Sequence, residues 1–545
     1  MKKFAPISLS VLISLAVIGI SYFWATSLMD SMYAYRSPLK NSAPIAGEAS
    51  GSPLTRSFVI VLIDALRYDT SMKPEVMPFL NQLRTNGAYA LMHSRPSSFS
   101  ESGYTVLLTG AWPDISDGAV LNLDYADIPT FTQDDIYSSA YRADQLTAVS
   151  GYNWFEKLIP QGAVTASFYT AGEDQAADRD VMDAALPWLL DGKYNLVLIH
   201  LDQVDYAGHH EGGPIDPRWD AAATRVDGLL REITAAMDLT QDTLLIVSDH
   251  GQIDQGGHGG QDPIVLLEPF VMVGNGVIPG DYGDVNMVDV APTIASVLGT
   301  NIPATNQGRP HIEMLNLTLN QVEKISQALS TQQSRLATAY GAAIGETVIV
   351  QSPDNVLTAT QEGMDSGRES RLNRERLPRG IFAIIIVITF INLAAWQSKS
   401  YFSWFLIGVV IYTIIFNIKY ILIDHKTYSL SSVVDATNLI NSTALNTFIA
   451  LMIAWFVVLL GTNLYKLGTR QAAITTMKFV LTTLSVLSIP IFIHYVINGA
   501  TVTWTLPDFL TSFLGFIYLV QILMVSMIGV ILMGFSALIG LIFQK

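Results

Sequence analysis

Six long apolar segments, five of them crowded into the last third of this 545-residue chain, constrain its fold more than any other feature. The first runs from about Ile7 to Met29 behind Met1, Lys2 and Lys3. The others lie near 380–397, 402–423, 444–465, 474–496 and 510–543. About 20 apolar residues span the hydrocarbon layer of a bilayer, where only a helix can satisfy its own backbone, so each segment reads as a transmembrane helix. The first is longer than the apolar core of a cleaved signal peptide, about 7–15 residues, and is expected to be an uncleaved anchor. With the N-terminus cytoplasmic, Lys399, Lys466 and Arg470 fall inside and the uncharged loop 497–507 falls outside. Both termini are then cytoplasmic, and the region between the first two spans is extracytoplasmic. Arg368, Arg371, Arg374, Arg376 and Arg379 run against this rule, and a basic segment there could lie against lipid phosphates. Lys419 and His494 sit near the expected outer ends of their spans; snorkelling to the interface is the simpler account of Lys419.

Between the first two spans the texture changes. Residues 1–29 form the anchor, and 30–53, rich in Ser, Pro, Ala and Gly, read as a tether. Residues 54–345 form a globular domain, 346–378 a polar linker and 379–545 a five-span bundle. Residues 54–345 carry 36 Asp and Glu against 15 Lys and Arg. A field of that sign excludes nucleic acid as a partner and suits a domain that holds cations, although solubility explains most of the excess. The chain has no cysteine, which removes disulfides, thiolate metal sites and a Cys nucleophile.

Within the domain, FVIVLID (58–64), YNLVLIHLD (194–202) and DTLLIVSDH (242–250) are short β-branched apolar runs ending in acidic or His residues. Runs of this kind fit buried parallel strands, and ligands in open α/β sheets bind at their carboxyl ends. Val322, Ile325, Leu329, Leu336 and Tyr340 have helical spacing and close the domain. The fold class is α/β.

Three clusters follow the strands: Asp64; Asp205 with His209; and Asp249 with His250, followed eight residues later by His258 in a glycine-rich stretch. Singly these have ordinary explanations, a helix cap or a surface ion pair. Together, carboxylates with imidazoles are the ligand set of zinc and similar divalent ions. Two such ions about 4 Å apart clamp the attacking and leaving oxygens of a displacement at phosphorus. A nucleophile is also needed, and RPSSFSESGYTVLLTG (95–110) offers Ser97, Ser98, Ser100, Ser102, Tyr104 and Thr105, among which composition does not choose.

In order along the chain, IDALRYD, the hydroxyl segment ending LLTG, DYAGHH, SDHG, GGHGG, VDVAPTIASVLG (288–299) and IPATNQGRP (302–310) resemble the alkaline phosphatase superfamily, in its phosphodiesterase and phosphotransferase branch, over about 56–312. The resemblance implies an α/β/α sandwich with two divalent metals, zinc or else manganese. It places the nucleophile ten residues before Gly110, at Ser100. It implies Asp205, His209 and His258 around one ion, and Asp64, Asp249 and His250 with Ser100 Oγ around the other. Sulfatases carry a Pro-Ser-Arg pattern after the nucleophile; SESGY weakens that reading. Gly103 stands where the diesterase branch often has an Asn.

The N-terminal anchor, YRSPL (35–39), the α/β unit and a membrane bundle look like the glycosylphosphatidylinositol ethanolamine-phosphate transferases. The expected function is transfer of a phosphoethanolamine-like head group from a phospholipid to a membrane-associated or lipid-linked acceptor through a phosphoserine. The alternatives are an extracytoplasmic phosphodiesterase or phosphatase using water, and a non-catalytic binding module on a transporter-like bundle.

Overall fold

The computed structural model describes residues 5–349, 355–396, 401–433 and 435–543; Met1, Lys2, Lys3 and Lys399, used in the topology argument, lie outside them. The chain divides into two compact units. The first comprises Met1–Met32, Asn373–Thr503 and Pro507–Lys545, and the second Tyr33–Leu372 with Trp504–Leu506. Helix α1 (Ala5–Tyr33) opens the chain.

The second unit is built on one eight-stranded sheet. Its strands are β1 (Phe58–Ile63), β2 (Ala88–His93), β3 (Thr147–Tyr152), β4 (Ala166–Thr170), β5 (Leu196–Leu201), β6 (Thr243–Val247), β7 (Leu267–Gly274) and β8 (Gly280–Asn286). The order is β4-β3-β5-β1-β6-β7-β2-β8. From β4 to β6 all neighbours are parallel, and β7 runs antiparallel to both β6 and β2. The three runs expected as strands are thus β1, β5 and β6, side by side.

Every residue of β1 is buried. Successive side chains of a strand point to opposite faces. Phe58, Ile60 and Leu62 accordingly pack under α2 (Ser100–Thr109) and the helix Val290–Leu298, in a core that includes Leu107, Leu108 and Ile294. Val59, Val61 and Ile63 pack on the other face with Val204 and Ala207 of α3 (Gln203–His210), and with Val181, Trp219 and Val226 of the helices Gln175–Asp191 and Pro217–Ala235. This is the α/β/α layering expected. Helix α4 (Leu319–Ile344) starts at a capping box, Thr318 with Gln321, and buries Ile325, Leu336 and Tyr340.

Two stretches differ from expectation. The segment YRSPL is no free tether: Leu39 and Tyr35 are buried, Ser37 Oγ donates to Ile115 O at 3.0 Å, and Arg36 Nε bonds Asp117 at 2.7 Å. Low-complexity composition concealed its specific contacts. Nor is 346–378 a loop, because α5 (Val356–Trp396) runs through most of it and continues into the apolar segment 380–397. Its charged side chains pair at helical spacing, as Arg379 does with Glu375 at 2.8 Å. Arg368 bonds Asp365, Arg371 donates to Ile344 O, and Arg376 donates to Ile497 O, so these arginines have protein partners.

The first unit contains α6 (Phe402–Asn417), which continues as a wider π turn through Ile423, α7 (Ala436–Gly461), α8 (Thr469–Asn498) and α9 (Phe509–Ile542). The last is one unbroken helix. With α1, five helices among the described residues are long and apolar enough to cross a membrane. This is the make-up of an integral membrane protein. Small residues let helices approach: a Cβ on Gly515 would lie 2.7 Å from the buried His494 ring, and one on Gly529 would lie 2.6 Å from Val480. Lys419 does more than snorkel. Its ammonium pairs with Asp424 at 2.7 Å, and Asn446 donates to the carboxylate's other oxygen.

Trp219 is fully buried and donates to Thr70 Oγ1 at 3.0 Å. Trp219→Ala is expected to destabilise the second unit by about 3–5 kcal/mol in denaturant unfolding.

Candidate metal centre

Because β5, β1 and β6 are adjacent and parallel, whatever follows each strand arrives at one edge of the sheet. Asp64 follows β1 directly. Ala65 after it is held at φ +59°, a conformation that costs a non-glycine residue energy, and its N–H donates to Asp249 Oδ1 at 3.2 Å. Asp249 and His250 come just after β6. Asp205 and His209 lie four residues apart on α3 and therefore share a face. His258 is delivered by the glycine-rich loop. Gly259, at φ +99°, is required there because a Cβ would lie 2.2 Å from the Phe99 ring, which meets His258 edge to face.

All six expected ligands converge. His250 Nε2 lies 3.4 Å from Asp64 Oδ1, 3.3 Å from Asp249 Oδ2 and 3.0 Å from Ser100 Oγ. His209 Nε2 lies 3.0 Å from His258 Nε2 and 3.5 Å from Asp205 Oδ2. The His250 and His258 rings stack at 3.8 Å. Donor atoms of Asp64, Asp249 and His250 fall within 4.8 Å of one another, as do those of Asp205, His250 and His258. His250 thus borders both groups, and His209 stands at the more open rim.

The donor chemistry fits metal ions. Among the described residues Asp64 Oδ1 and Asp249 Oδ2 are buried with no hydrogen-bond partner, a costly state unless a cation faces them. His250 Nδ1 donates to Gly251 O and His258 Nδ1 donates to Ser98 O, each at 3.0 Å. The lone pairs are therefore at Nε2, facing the carboxylates, as second-shell hydrogen bonds fix in metal sites. Burial, reinforced by the other carboxylates, pushes Asp64 and Asp249 well above the usual carboxylate range. Burial likewise depresses His258 to about 4 and keeps it neutral.

The structure separates the six hydroxyls. Ser98 Oγ donates to Gly260 O, Thr105 Oγ1 to Glu101 O, and Ser97 Oγ to Ser102 Oγ. Tyr104 donates to Asp64 Oδ2. Ser100, the first residue of α2, points its Oγ at His250.

Four further residues support the cluster. His200 Nε2 lies 2.9 Å from Tyr104 Oη and 3.1 Å from Asp64 Oδ2, so Tyr104 and His200 grip one Asp64 oxygen and leave the other free. Asp202, also at the end of β5, shares a group with Asp64 and His200. Gln252 Nε2 donates to Asp205 Oδ1 at 2.5 Å. Asp202 was readable as a third strand-end carboxylate. Tyr104 was visible only as one hydroxyl among six, and nothing marked Gln252. Gly103 packs on the cluster itself, since a Cβ there would lie 2.7 Å from Asp249 Cβ.

The two segments 288–299 and 302–310 hold the far end of α2. Gln307 N donates to Gly110 O at 2.7 Å, and Gln307 Oε1 accepts from Trp112 N at 2.9 Å. Their role is to brace the helix that carries Ser100.

Residues 58–363 match the family model described as type I phosphodiesterase / nucleotide pyrophosphatase. Among curated relatives, the GPI ethanolamine phosphate transferase 2 of Aspergillus fumigatus is 26% identical over 437 residues, covering 73% of this chain and 56% of that protein. The catalytic subunit of GPI ethanolamine phosphate transferase 3 of Mus musculus is 24% identical over 288 residues, covering 47% of this chain and 26% of that protein. The chain thus spans little more than half of the first relative and about a quarter of the second. Human ectonucleotide pyrophosphatase / phosphodiesterase 5 aligns with a TM-score of 0.40 and 15% identity, over 48% of this chain and all of that one.

The depressed His258 value has a consequence for the metal-free protein. An unfolded His takes up its proton near pH 6.5 and the folded one only near 4. Between those values the unfolded state binds more protons, so stability falls as pH drops from 6.5 to 4. Replacing His258 by Asn is expected to flatten that part of the curve, measured by urea unfolding in a chelator across this range.

Proposed function

The chain belongs to the type I phosphodiesterase / nucleotide pyrophosphatase family, and on that premise we propose that it is a membrane-bound, divalent-metal-dependent phosphotransferase. It moves a phosphoethanolamine-like head group from a phospholipid to a membrane-associated, lipid-linked acceptor. The observation that carries this reading is Ser100 Oγ, 3.0 Å from His250 Nε2 inside a cluster of carboxylates and imidazoles, in a chain with five membrane-length apolar helices among its described residues. The curated relatives named above are ethanolamine phosphate transferases, which supports the choice of group.

In this reading Asp64, Asp249 and His250 hold one ion and Asp205, His209 and His258 the other. Bound zinc or manganese supplies positive charge that lowers the hydroxyl pKa of Ser100 and screens the phosphoryl oxygens. Ser100 Oγ gives up its proton and forms a bond to phosphorus, and the bond from phosphorus to the diacylglycerol oxygen breaks, that oxygen taking a proton. The acceptor hydroxyl then attacks the phosphoserine, loses its proton and releases Ser100. Tyr104 and His200 keep Asp64 oriented, Gln252 does the same for Asp205, and the bracing of α2 holds Ser100 at attacking distance. Both termini are cytoplasmic and the second unit extracytoplasmic, where a lipid donor of the outer leaflet is accessible.

Incubating the purified protein with head-group-labelled phosphatidylethanolamine and a crude lipid-linked glycan fraction is expected to label the acceptor. Release of free labelled phosphoethanolamine alone would make water the acceptor and overturn the transferase reading. Ser100→Ala is expected to lower transfer by about a thousandfold or more while retaining the bound metal. It should also abolish the labelled phosphoserine otherwise trapped by acid quenching.

A further inference from the structure

A second polar cavity lies in the same unit, away from the metal centre. It is lined by Arg95, Trp112, Asp114, Tyr340, Asp365 and Arg368 among others, and has room of about 90 Å³. One water needs only about 10–15 Å³ measured in this way. Its walls come from the segment after β2, the turn beyond α2, α4 and α5. Trp112 follows the last turn of α2 whereas Ser100 begins it, and ten helical residues separate the two ends by about 15 Å.

The charges lining the cavity are incompletely answered. Arg95 is exposed, with its guanidinium over the Trp112 ring at 4.7 Å, and it makes no ion pair among the described residues. Arg368 donates through one terminal nitrogen to Asp365 at 3.1 Å, while its Nε is buried without a partner among the described residues. Asp114 faces both arginines, and its carboxyl makes no side-chain hydrogen bond among the described residues. Burial raises its pKa, against the pull of Arg368 and then Arg95. Asp365 and Tyr340 complete the titratable set around the cavity.

Two guanidiniums bind phosphate oxygens well, by charge and by their forked donors. A simple anion, however, would meet Asp114 and Asp365 as like charges. A ligand carrying both signs avoids the conflict: its phosphoryl oxygens lie on Arg95 and the Nε of Arg368, its ammonium lies at Asp114, and Asp365 is already paired with Arg368. We propose that this cavity is a second binding site, for a zwitterionic amine-bearing phosphate ester. The inference stands on the cavity alone and not on the reading of the metal centre.

Titration of the full-length protein in detergent with O-phosphoethanolamine, with and without a chelator, tests it by binding rather than turnover, so a failure of the transferase reading leaves the result interpretable. One binding event is expected to survive chelation and to persist in Asp249→Asn. It should weaken tenfold or more in Arg368→Gln and in Arg95→Gln, the latter an exposed position whose replacement leaves the fold intact. Asp114→Asn should erase the preference for phosphoethanolamine over inorganic phosphate. Loss of all binding on chelation, unchanged binding in both arginine variants, or equal wild-type affinity for inorganic phosphate would each overturn the proposal. Competition by phosphatidylethanolamine in nanodiscs identifies the bound group as a lipid head group. Binding of phosphoethanolamine without such competition identifies a free ester.

Discussion

Asp64, Asp202, Asp205 and Asp249 lie at one edge of three adjacent parallel strands, where water is largely excluded. Like charges so placed repel strongly, and each carboxylate also bears the cost of leaving water. Raised pKa values at Asp64, Asp202 and Asp249 are the metal-free protein's partial relief, and cations are the complete one. Much of the second unit's detail follows from this. His250 and His258 are kept neutral by burial, their Nδ1 atoms are tied to backbone carbonyls, and one Asp64 oxygen is gripped so that the other stays available. The left-handed Ala65 bends the chain so that its amide can reach Asp249, a local strain carried for the sake of the cluster.

The parts legible in the sequence share a physical origin. Strand-end carboxylates and helical i, i+4 pairs are local patterns, so Asp64, Asp205, His209, Asp249, His250 and His258 could be read directly, as could the strands that carry them. Parallel adjacency of β5, β1 and β6 converts those separate patterns into one site. Ser100 was distinguishable from its neighbours only through the family resemblance, because selection among six hydroxyls depends on which way a helix turns. Burial of YRSPL depends on contacts with residues about 80 positions away, such as Arg36 with Asp117, and composition carries no trace of these. The helix through 356–378 was hidden for a different reason: the face it buries, Ala359, Thr360, Gly363, Met364, Gly367 and Leu372, is mostly small residues, which leave almost no hydrophobic periodicity in the sequence.

The segments 288–299 and 302–310 hold no ligand, yet the resemblance leaned on them. Their work is mechanical. They pack the helix Val290–Leu298 into the core beneath the sheet and hydrogen-bond the turn at Gly110, so α2 is gripped at the end opposite Ser100. A nucleophile at the first position of a helix is only as well placed as the helix itself, which explains why a recognisable signature can lie far from the chemistry.

Gly103 bears on how such a site can evolve. Helix α2 lies so close to Asp249 that there is no space for even one carbon between them. A related enzyme that reaches for the phosphoryl group with a side chain at this position must hold its helix farther from the strand end. A side chain at 103 therefore demands that helix and strand terminus shift apart together. With glycine here, this chain can place no side chain of its own between the helix and Asp249, and the room beside that carboxylate is fixed by a packing distance.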